Sequence, residues 1–387
     1  FYKHISRVTS RRKALETKKK KRKISFSLIL NIFVIIISVG LVIYFFVSPD
    51  GLMDLLKNSP GSIKWGWVFV AFVSFMMNIV MDVFVTYLFV RTEYKSFTLW
   101  DAVKTSCVGQ FFSAITPSST GGQPMQVYLL SKMGISAGFS TSCMTQKFIV
   151  YQITTTAASI FAIFLRFDYF VATMNTPYKW SLVILGFISQ IGITSILLIV
   201  SFSRGLSKKL LKLVSKIMHK LKFIKNPDEK AQALETQISN FHEANRNVFK
   251  YKKRMIVYYI IVFMQVIFIL SCPYLLYRAF NFSGANPVDM ICAQAYVNLT
   301  SSLIPLPGSS GIAEVAYNMF MAAYFANGTL KSAILIWRFI TYYAVIVCTA
   351  PFSRFTSGKD KDGNRRSVDD RIISSMNKEM FNENSDD

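Results

Sequence analysis

Six long apolar runs dominate the pattern of hydrophobic and polar positions, each 23 to 28 residues long and nearly free of charge. A helix needs about 20 such residues to cross the roughly 30 Å hydrocarbon core of a bilayer. The pattern therefore predicts an all-α integral membrane protein with about six full spans. Their predicted bounds are Ile24 to Val47, Trp65 to Val90, Gly138 to Leu165, Trp180 to Phe202, Met255 to Tyr277 and Leu330 to Phe352.

Two further apolar regions, 98–130 and 286–325, are interrupted by proline, glycine and serine. Irregular backbone at membrane depth is tolerated only where it is buried in protein or lines a polar cavity, and these residue types form turns with little strain. We therefore expect two re-entrant, broken helical hairpins; the alternative is an ordinary loop outside the membrane. The expected hinge or turn residues are Pro117, Pro124, Pro305 and Pro307.

The chain resembles itself at an offset of 188 residues, which aligns 98–127 with 286–315 without a gap. After a further slip of three residues, the sequence KFIVY, beginning at Lys147, aligns with RFITY, beginning at Arg338. Each copy opens with a helix-capping residue followed three positions later by an acid, close to a capping box. These pairs are Thr98 with Asp101 and Asn286 with Asp289. We predict two structural repeats.

The distribution of the net charge of +23 indicates which ends of the spans face the cytoplasm. Residues 1–24 hold 11 Lys or Arg against one Glu, and residues 203–254 hold 14 against four acids. The positive-inside rule places both segments in the cytoplasm. The basic loop then stays inside only if the first broken region returns to the side it entered, which predicts repeats of inverted topology.

The charge pattern also indicates partners at the membrane surface. Lysines recur every four residues opposite an apolar face within 205–224, as in a basic amphipathic helix. We expect this loop and the N-terminal segment to contact anionic inner-leaflet lipids, and we expect no nucleic-acid partner. The sequence leaves the oligomeric state open, and a homodimer is compatible with it.

These patterns divide the chain into three parts. Residues 1–24 are a basic cytoplasmic segment, 25–353 form the transmembrane domain, and 354–387 form a polar cytoplasmic tail. Within the membrane domain, repeat one covers about 65–165 and repeat two about 253–353, with the basic loop at 203–254 between them.

Ionisable residues inside apolar spans are costly and are candidates for function. Lys147 and Arg338 occupy repeat-equivalent positions within spans, and Asp82 lies deep in another. Gln126 and Glu314 lie on the second half of each hairpin, one turn past the break. The two cations and two helix N-termini predict an anion site. The alternative is that Lys147 pairs with Asp82, and Arg338 with Glu314, only to hold the bundle together.

The predicted substrate-binding set combines these residues with the two breaks and nearby hydrogen-bonding side chains. It consists of Asp82, Ser118, Ser119, Thr120, Gly121, Gly122, Gln126, Lys147, Tyr151, Gly308, Ser309, Ser310, Gly311, Glu314, Arg338 and Tyr342. Further hydrogen-bonding candidates are Gln110, Gln123 and Gln152.

Other site chemistry is absent from the sequence. It contains no phosphate-binding GxxxxGK[ST] loop, no HExxH and no GxSxG, and its five cysteines show no metal-ligand spacing. We therefore expect no catalytic residue, no cofactor and no metal site.

The motif ITPSSTGGQPMQVYLL, followed about 175 residues later by IPLPGSSGIAEVAY, resembles the membrane region of the lysylphosphatidylglycerol synthase and flippase family. That family includes the bacterial multiple peptide resistance factor, which implies a role in resistance to antimicrobial peptides, and stand-alone relatives. The family's motif positions carry over to Pro117, Gly121, Gly122 and Gln126 in the first break, and to Pro305, Pro307, Gly308, Gly311 and Glu314 in the second.

The resemblance implies movement of a phosphate-bearing lipid between leaflets, either an aminoacylated phosphatidylglycerol, another phospholipid or a polyprenyl-linked lipid. The soluble domain that attaches the amino acid follows the membrane part in full-length synthases. Only 35 residues follow the last predicted span here, so we expect no transferase activity. We expect a multi-pass protein of the plasma membrane, bacterial in origin, that moves lipid by alternating access. If transport is coupled to an ion gradient, Asp82 and Glu314 are the candidate proton carriers. The alternatives are a secondary transporter of a small anion and a non-transporting partner of a separate lipid-modifying enzyme.

Overall fold

The computed structural model describes residues 63–116, 119–203, 205–206, 209, 242, 252–302, 307–325 and 329–356. All of them belong to one compact unit, 44–387. The predicted first span, the basic N-terminal segment, the amphipathic helix of the basic loop and the polar tail beyond residue 356 lie outside the described residues.

All regular secondary structure among the described residues is helical. Its α-helices, in chain order, are α1 (Trp65–Val90), α2 (Leu99–Ile115), α3 (Gly122–Lys132), α4 (Ala137–Leu165), α5 (Phe167–Thr173), α6 (Pro177–Phe202), α7 (Lys252–Ala279), α8 (Pro287–Ser301), α9 (Ile312–Met321), α10 (Thr329–Arg338) and α11 (Ala344–Thr349). A π-helical turn, Phe339–Tyr343, joins α10 to α11, and short 3₁₀ segments cover Pro307–Ser309 and Ala350–Thr356.

Five of the six predicted spans lie among the described residues, and all five are long and apolar enough to cross a membrane. They are Trp65–Val90, Ala137–Leu165, Pro177–Ile196, Arg254–Ala279 and Thr329–Thr356. Their outward surface is apolar: the exposed fractions of Phe69, Phe161, Phe164 and Ile188 are 65%, 66%, 77% and 62%. Surface this apolar suits a hydrocarbon solvent rather than water.

The last span differs from the uniform helix that its sequence predicts. It changes from α to π geometry directly after Arg338 and returns to α geometry at Ala344. A single π-turn inside an α-helix is frequent at functional sites. Here it lies beside the second break in the chain, which Arg338 contacts.

Each broken region folds into two helices that pack against each other, α2 with α3 and α8 with α9. The second helix of each hairpin begins at Gly122 and at Ile312, respectively. A Cβ atom added at Gly122 would lie 2.0 Å from Ser113 Oγ and 2.8 Å from the Gly109 carbonyl oxygen. Glycine therefore allows the close approach of α2 and α3, as small residues do between membrane helices.

The first helix of each hairpin is capped, but the two acids act differently. Thr98 and Asp101 form the predicted reciprocal capping box on α2. Asn286 caps α8 by accepting from the Val288 N–H at 2.9 Å, whereas the carboxylate of Asp289 accepts from Arg166. This contact raises the pKa of the Arg166 guanidinium above its ordinary value, because the hydrogen bond and the negative charge both favour the cation.

Helices α1 and α7 form the most extensive contact among the described helices. Polar groups cross this interface: the Ser74 and Ser271 hydroxyls lie 3.0 Å apart, and the Gln265 amide donates to Asn78 Oδ1 at 2.9 Å. Burying a carboxamide in a bilayer is costly unless it is hydrogen-bonded. The pair therefore fixes how α1 and α7 face each other at mid-span.

Gly186→Ala is expected to destabilise the protein by about 1–3 kcal/mol through overpacking. A Cβ atom there would lie 2.5 Å from the Leu299 carbonyl oxygen, so α6 and α8 would have to separate. Gly192, also on α6, has no atom within 4 Å of an added Cβ, and Gly192→Ala should be neutral or stabilising by up to about 1 kcal/mol. Unfolding titrations in mixed micelles check the difference, and equal midpoints for the two variants would contradict the tight α6–α8 contact.

Candidate functional site

A cavity with a volume of about 450 Å³ lies where both broken hairpins meet the spans. Helices α1, α4, α6, α7 and α10 line it, together with the C-terminal halves of α2 and α8 and the beginning of α3. The lining residues of the spans fall near the centre of each span, for example Asn78, Tyr151, Gln190, Gln265 and Thr341. The cavity therefore lies near the sequence midpoint of all five described spans.

Both breaks contribute backbone of unusual geometry to this cavity. Ser119 and Ser309 have positive φ values of 55° and 51°, and both line the cavity. Non-glycine residues seldom adopt this conformation, and it costs energy that the surrounding fold must offset. Two pairs equated by the predicted repeat, Gln110 with Asn298 and Ser113 with Ser301, also line the same cavity. The repeat itself stays a prediction.

Lys147 reaches the cavity from α4 and is held by a cluster of polar groups. Its Nζ atom lies 3.0 Å from Asp82 Oδ1 and donates to Thr86 Oγ1 at 3.0 Å. Asp82 and Thr86 are four residues apart on α1, so they lie on the same face of that helix. The Thr86 hydroxyl lies 2.9 Å from Ser106 Oγ on α2. We call these four residues the Lys147 cluster.

The two charges of the Lys147 cluster are buried against the cavity wall. The side chains of Lys147 and Asp82 are 11% and 10% exposed, and both residues line the cavity. A buried charge is tolerated when it is paired and hydrogen-bonded. The pair supplies the cavity with one positive and one negative group that offset each other.

Arg338 forms a different cluster, directed at the backbone of the second break. Its Nε atom donates to Glu314 Oε1 at 2.6 Å, and its Nη1 and Nη2 atoms donate to the carbonyl oxygens of Gly308 and Ser309 at 2.9 and 3.3 Å. The other oxygen of Glu314 accepts from the Gly311 N–H at 2.6 Å, which caps α9. We call Arg338 and Glu314 the Arg338 clamp.

The two cations that the sequence equates therefore lie in different surroundings. Lys147 lines the cavity, whereas Arg338 is not among the lining residues and binds the second turn. The difference follows from the residue one turn past each break. Glu314 in the second hairpin is negatively charged and pairs with Arg338. Gln126, at the equivalent position of the first hairpin, is neutral, and Lys147 pairs with Asp82 on α1 instead. The N–H of Gly311 at the start of α9 is likewise satisfied by Glu314, so this helix end does not meet the cavity as an open anion site.

The remaining predicted residues fall into three groups. Besides Lys147, the cavity is lined by Asp82, Ser119, Gly122, Gln126, Tyr151 and Ser309. The turn positions outside its lining are Thr120, Gly121, Pro307, Gly308, Ser310 and Gly311. Pro124, which the sequence predicts as a turn residue, lies inside α3 instead, and Tyr342 lies in the π-turn that follows Arg338. The structure does not describe Pro117, Ser118 and Pro305.

Contacts explain several of these turn positions. The Gly121 N–H donates to Thr116 Oγ1 at 2.9 Å, so this donor is satisfied by the end of α2. Gly308 has φ 61°, and a Cβ atom there would lie 2.4 Å from the Tyr342 ring. Tyr342 therefore packs on the second turn. Pro124 lies in the first turn of α3, where its missing N–H removes no helical hydrogen bond.

The sequence interpretation missed much of the polar lining. Five carboxamides that it did not select line the cavity: Asn78, Gln190, Gln265, Gln294 and Asn298. The three additional glutamines that it noted, Gln110, Gln123 and Gln152, also line it. The signal was present, because each missed residue lies within an apolar run where an uncharged polar group is costly.

Comparisons with known proteins place the chain in context. A family model described as the lysylphosphatidylglycerol synthase transmembrane region matches residues 29–348. An uncharacterized protein of Mycoplasma genitalium is 21% identical over 355 residues, covering 85% of this chain and 88% of the relative. A UPF0104 membrane protein of Archaeoglobus fulgidus is 23% identical over 318 residues, covering 80% of this chain and 91% of the relative. No solved structure matches the chain at comparable significance.

Proposed function

The chain belongs to the lysylphosphatidylglycerol synthase transmembrane-region family, and from this premise we propose that it moves a phosphate-bearing lipid between membrane leaflets. The observation that carries the proposal is the polar cavity near the midpoint of five spans, lined by both broken hairpins and Lys147. Discontinuous helices beside a mid-membrane site are typical of transporters that work by alternating access.

The size of the cavity suits a headgroup rather than a whole lipid. A cube of 450 Å³ has an edge of about 8 Å, whereas an acyl chain extends about 15 Å, half of the hydrocarbon core. The headgroup would occupy the cavity while the acyl chains stay in the bilayer. Loss of hydration water is the main cost of moving a headgroup through hydrocarbon. The polar lining would offset this cost by taking the place of the lost water.

Lys147 is the residue we assign to the lipid phosphate. Among the described residues that line the cavity it is the one cation, and its ammonium group is held at 3.0 Å by the Asp82 carboxylate. An entering phosphate would compete with Asp82 for the same donor. Exchange of Lys147 between the carboxylate and the phosphate would couple headgroup entry to a change in the contact between α1 and α4.

The Arg338 clamp has a positioning role in this proposal. By binding the carbonyl groups of Gly308 and Ser309, Arg338 fixes the turn that presents Ser309 to the cavity. We place the protein in the plasma membrane with both termini cytoplasmic, and we propose transport rather than amino-acid transfer for this membrane part.

Ala158→Phe is expected to block lipid movement by filling the cavity that Ala158 lines. The matched control is Ala157→Phe, since Ala157 is its neighbour on α4 and faces outward. Proteoliposomes with fluorescent phospholipids and a membrane-impermeant quencher measure the movement. The wild type and Ala157→Phe should move at least one phosphate-bearing lipid faster than empty liposomes do, and Ala158→Phe should not.

Two results would overturn the proposal. In the first, no phosphate-bearing lipid moves faster than in empty liposomes, although the unfolding midpoint shows that the reconstituted protein is folded. In the second, lipid moves equally fast in both variants, which would show that the path does not pass through this cavity.

A further inference from the structure

We infer that the headgroup bound in this cavity is an uncharged polyhydroxyl group of the sugar type, an inference that rests on the proposed lipid movement. It comes from three features of the described lining: its balanced charge, its nine carboxamides, and two buried polar atoms without a hydrogen-bond partner. The carboxamides are Asn78, Gln110, Gln123, Gln126, Gln152, Gln190, Gln265, Gln294 and Asn298.

The charge balance argues against a second anionic group beyond the phosphate. Asp82 and Lys147 are the charged residues among the described lining, and they pair with each other at 3.0 Å. A second phosphate would need an additional cation, because an unpaired charge in a low dielectric is very costly. A neutral group avoids this cost.

Carboxamides and hydroxyls recognise hydroxyl groups directly. A carboxamide offers two donors and an acceptor with two lone pairs, and a sugar hydroxyl both donates and accepts. The lining combines its nine carboxamides with the hydroxyls of serine, threonine and Tyr151. Gln265 already donates to Asn78, and Gln294 donates to Asn298. Each carboxamide has further hydrogen-bonding capacity, which a hydrocarbon or a quaternary ammonium group would leave unused, and this is unfavourable for buried amides.

Gln294 shows this unsatisfied capacity in one side chain. It is 1% exposed and lines the cavity. Its Nε2 atom donates to Asn298 Oδ1 at 2.9 Å, and this bond orients the amide. Its Oε1 atom is buried with no hydrogen-bond partner. A buried acceptor of this kind is costly unless a ligand or an ordered water donates to it.

Trp337 supplies the complementary group. It is 4% exposed, lines the cavity from α10, and its indole Nε1 atom is a buried donor with no hydrogen-bond partner. An acceptor on Gln294 and a donor on Trp337, both without a partner, are the two hydrogen-bonding functions that a hydroxyl group combines. The indole also offers a flat apolar surface with a polar edge, which suits an amphipathic sugar ring.

The test compares lipids with matched acyl chains in the proteoliposome assay. Glucosyl-diacylglycerol carries a sugar without phosphate, phosphatidylinositol carries a polyhydroxyl ring with phosphate, and phosphatidylcholine and phosphatidic acid carry phosphate without a polyhydroxyl group. We expect at least one polyhydroxyl lipid to move about tenfold faster than phosphatidylcholine and phosphatidic acid. Movement of the inositol lipid alone shows that phosphate is also required, and movement of both shows that the sugar suffices.

Gln294→Met tests the role of the open acceptor with a side chain of similar length. We expect movement of the polyhydroxyl lipids to slow about fivefold to tenfold, as for loss of one or two hydrogen bonds. Asn318→Leu is the matched control, because Asn318 is an exposed carboxamide on α9 outside the cavity lining, and it should behave as the wild type.

A binding measurement separates this inference from the proposed function. In phosphatidylcholine nanodiscs, short-chain glucosyl-diacylglycerol should raise the unfolding temperature of the wild type, and phosphatidic acid of the same chain length should raise it less. Binding without movement would overturn the proposed function and keep the headgroup inference. Equal movement and equal stabilisation by lipids with and without polyhydroxyl headgroups would overturn the inference and keep lipid transport.

Discussion

Replacing Arg338 with methionine should destabilise the protein strongly, because the Arg338 guanidinium holds the Glu314 carboxylate and two backbone carbonyl groups of the second break. Removing one partner of a buried ion pair typically costs about 3–5 kcal/mol. We expect the lower part of this range, because the Glu314 side chain keeps 35% exposure. An unfolding titration in mixed micelles measures the loss.

Glu314→Gln is the informative control for the Arg338 clamp. A glutamine side chain still accepts from the Gly311 N–H, as it does in capping boxes, and Arg338 keeps its bonds to the carbonyl groups. This variant should therefore lose less stability than Arg338→Met. If Arg338→Met costs less than about 1 kcal/mol, or if both variants lose the same amount, the clamp does not hold the second turn.

Replacing Lys147 with methionine should abolish lipid movement and also destabilise the protein. Movement should fall at least tenfold, because a phosphate would enter a low-dielectric cavity with no cation to meet it. Stability should fall by about 3–5 kcal/mol, since the Asp82 carboxylate stays buried without its partner. Translocation in proteoliposomes and unfolding in mixed micelles measure the two effects separately.

The double variant Lys147→Met with Asp82→Asn separates a functional lysine from a structural one. Neutralising both partners removes the unpaired carboxylate, so most of the stability should return. Lipid movement should stay lost, because no cation is restored. If the double variant moves lipid at the wild-type rate, the ion pair serves only to hold α1 and α4 together.

The proposed exchange of Lys147 between the Asp82 carboxylate and a phosphate would give the cavity two states. With no headgroup bound, the ion pair holds α1, which carries Asp82, against α4, which carries Lys147. With a phosphate bound, the pair would be shared or broken, and the two helices could shift relative to each other. A ligand moves such an equilibrium only by its differential affinity for the two states, and the Lys147 cluster is where that difference would arise.

Hydrophobic length and local chain chemistry by themselves determined the membrane-spanning character, the five described spans and the two broken regions. Each depends on residues close together in the sequence: about 20 apolar residues suffice for a span, and proline and glycine favour turns wherever they cluster. The Thr98 and Asp101 capping box was predictable for the same reason, because it needs only residues three positions apart.

Tertiary structure alone decided which polar groups meet. The sequence equates Lys147 with Arg338, yet one lines the cavity and the other binds the second turn, because their partners arrive from different helices. Likewise, nine carboxamides spread from Asn78 to Asn298 converge on one cavity. Local patterns do not encode such long-range neighbours, since helix rotation and packing set which face of each span points inward.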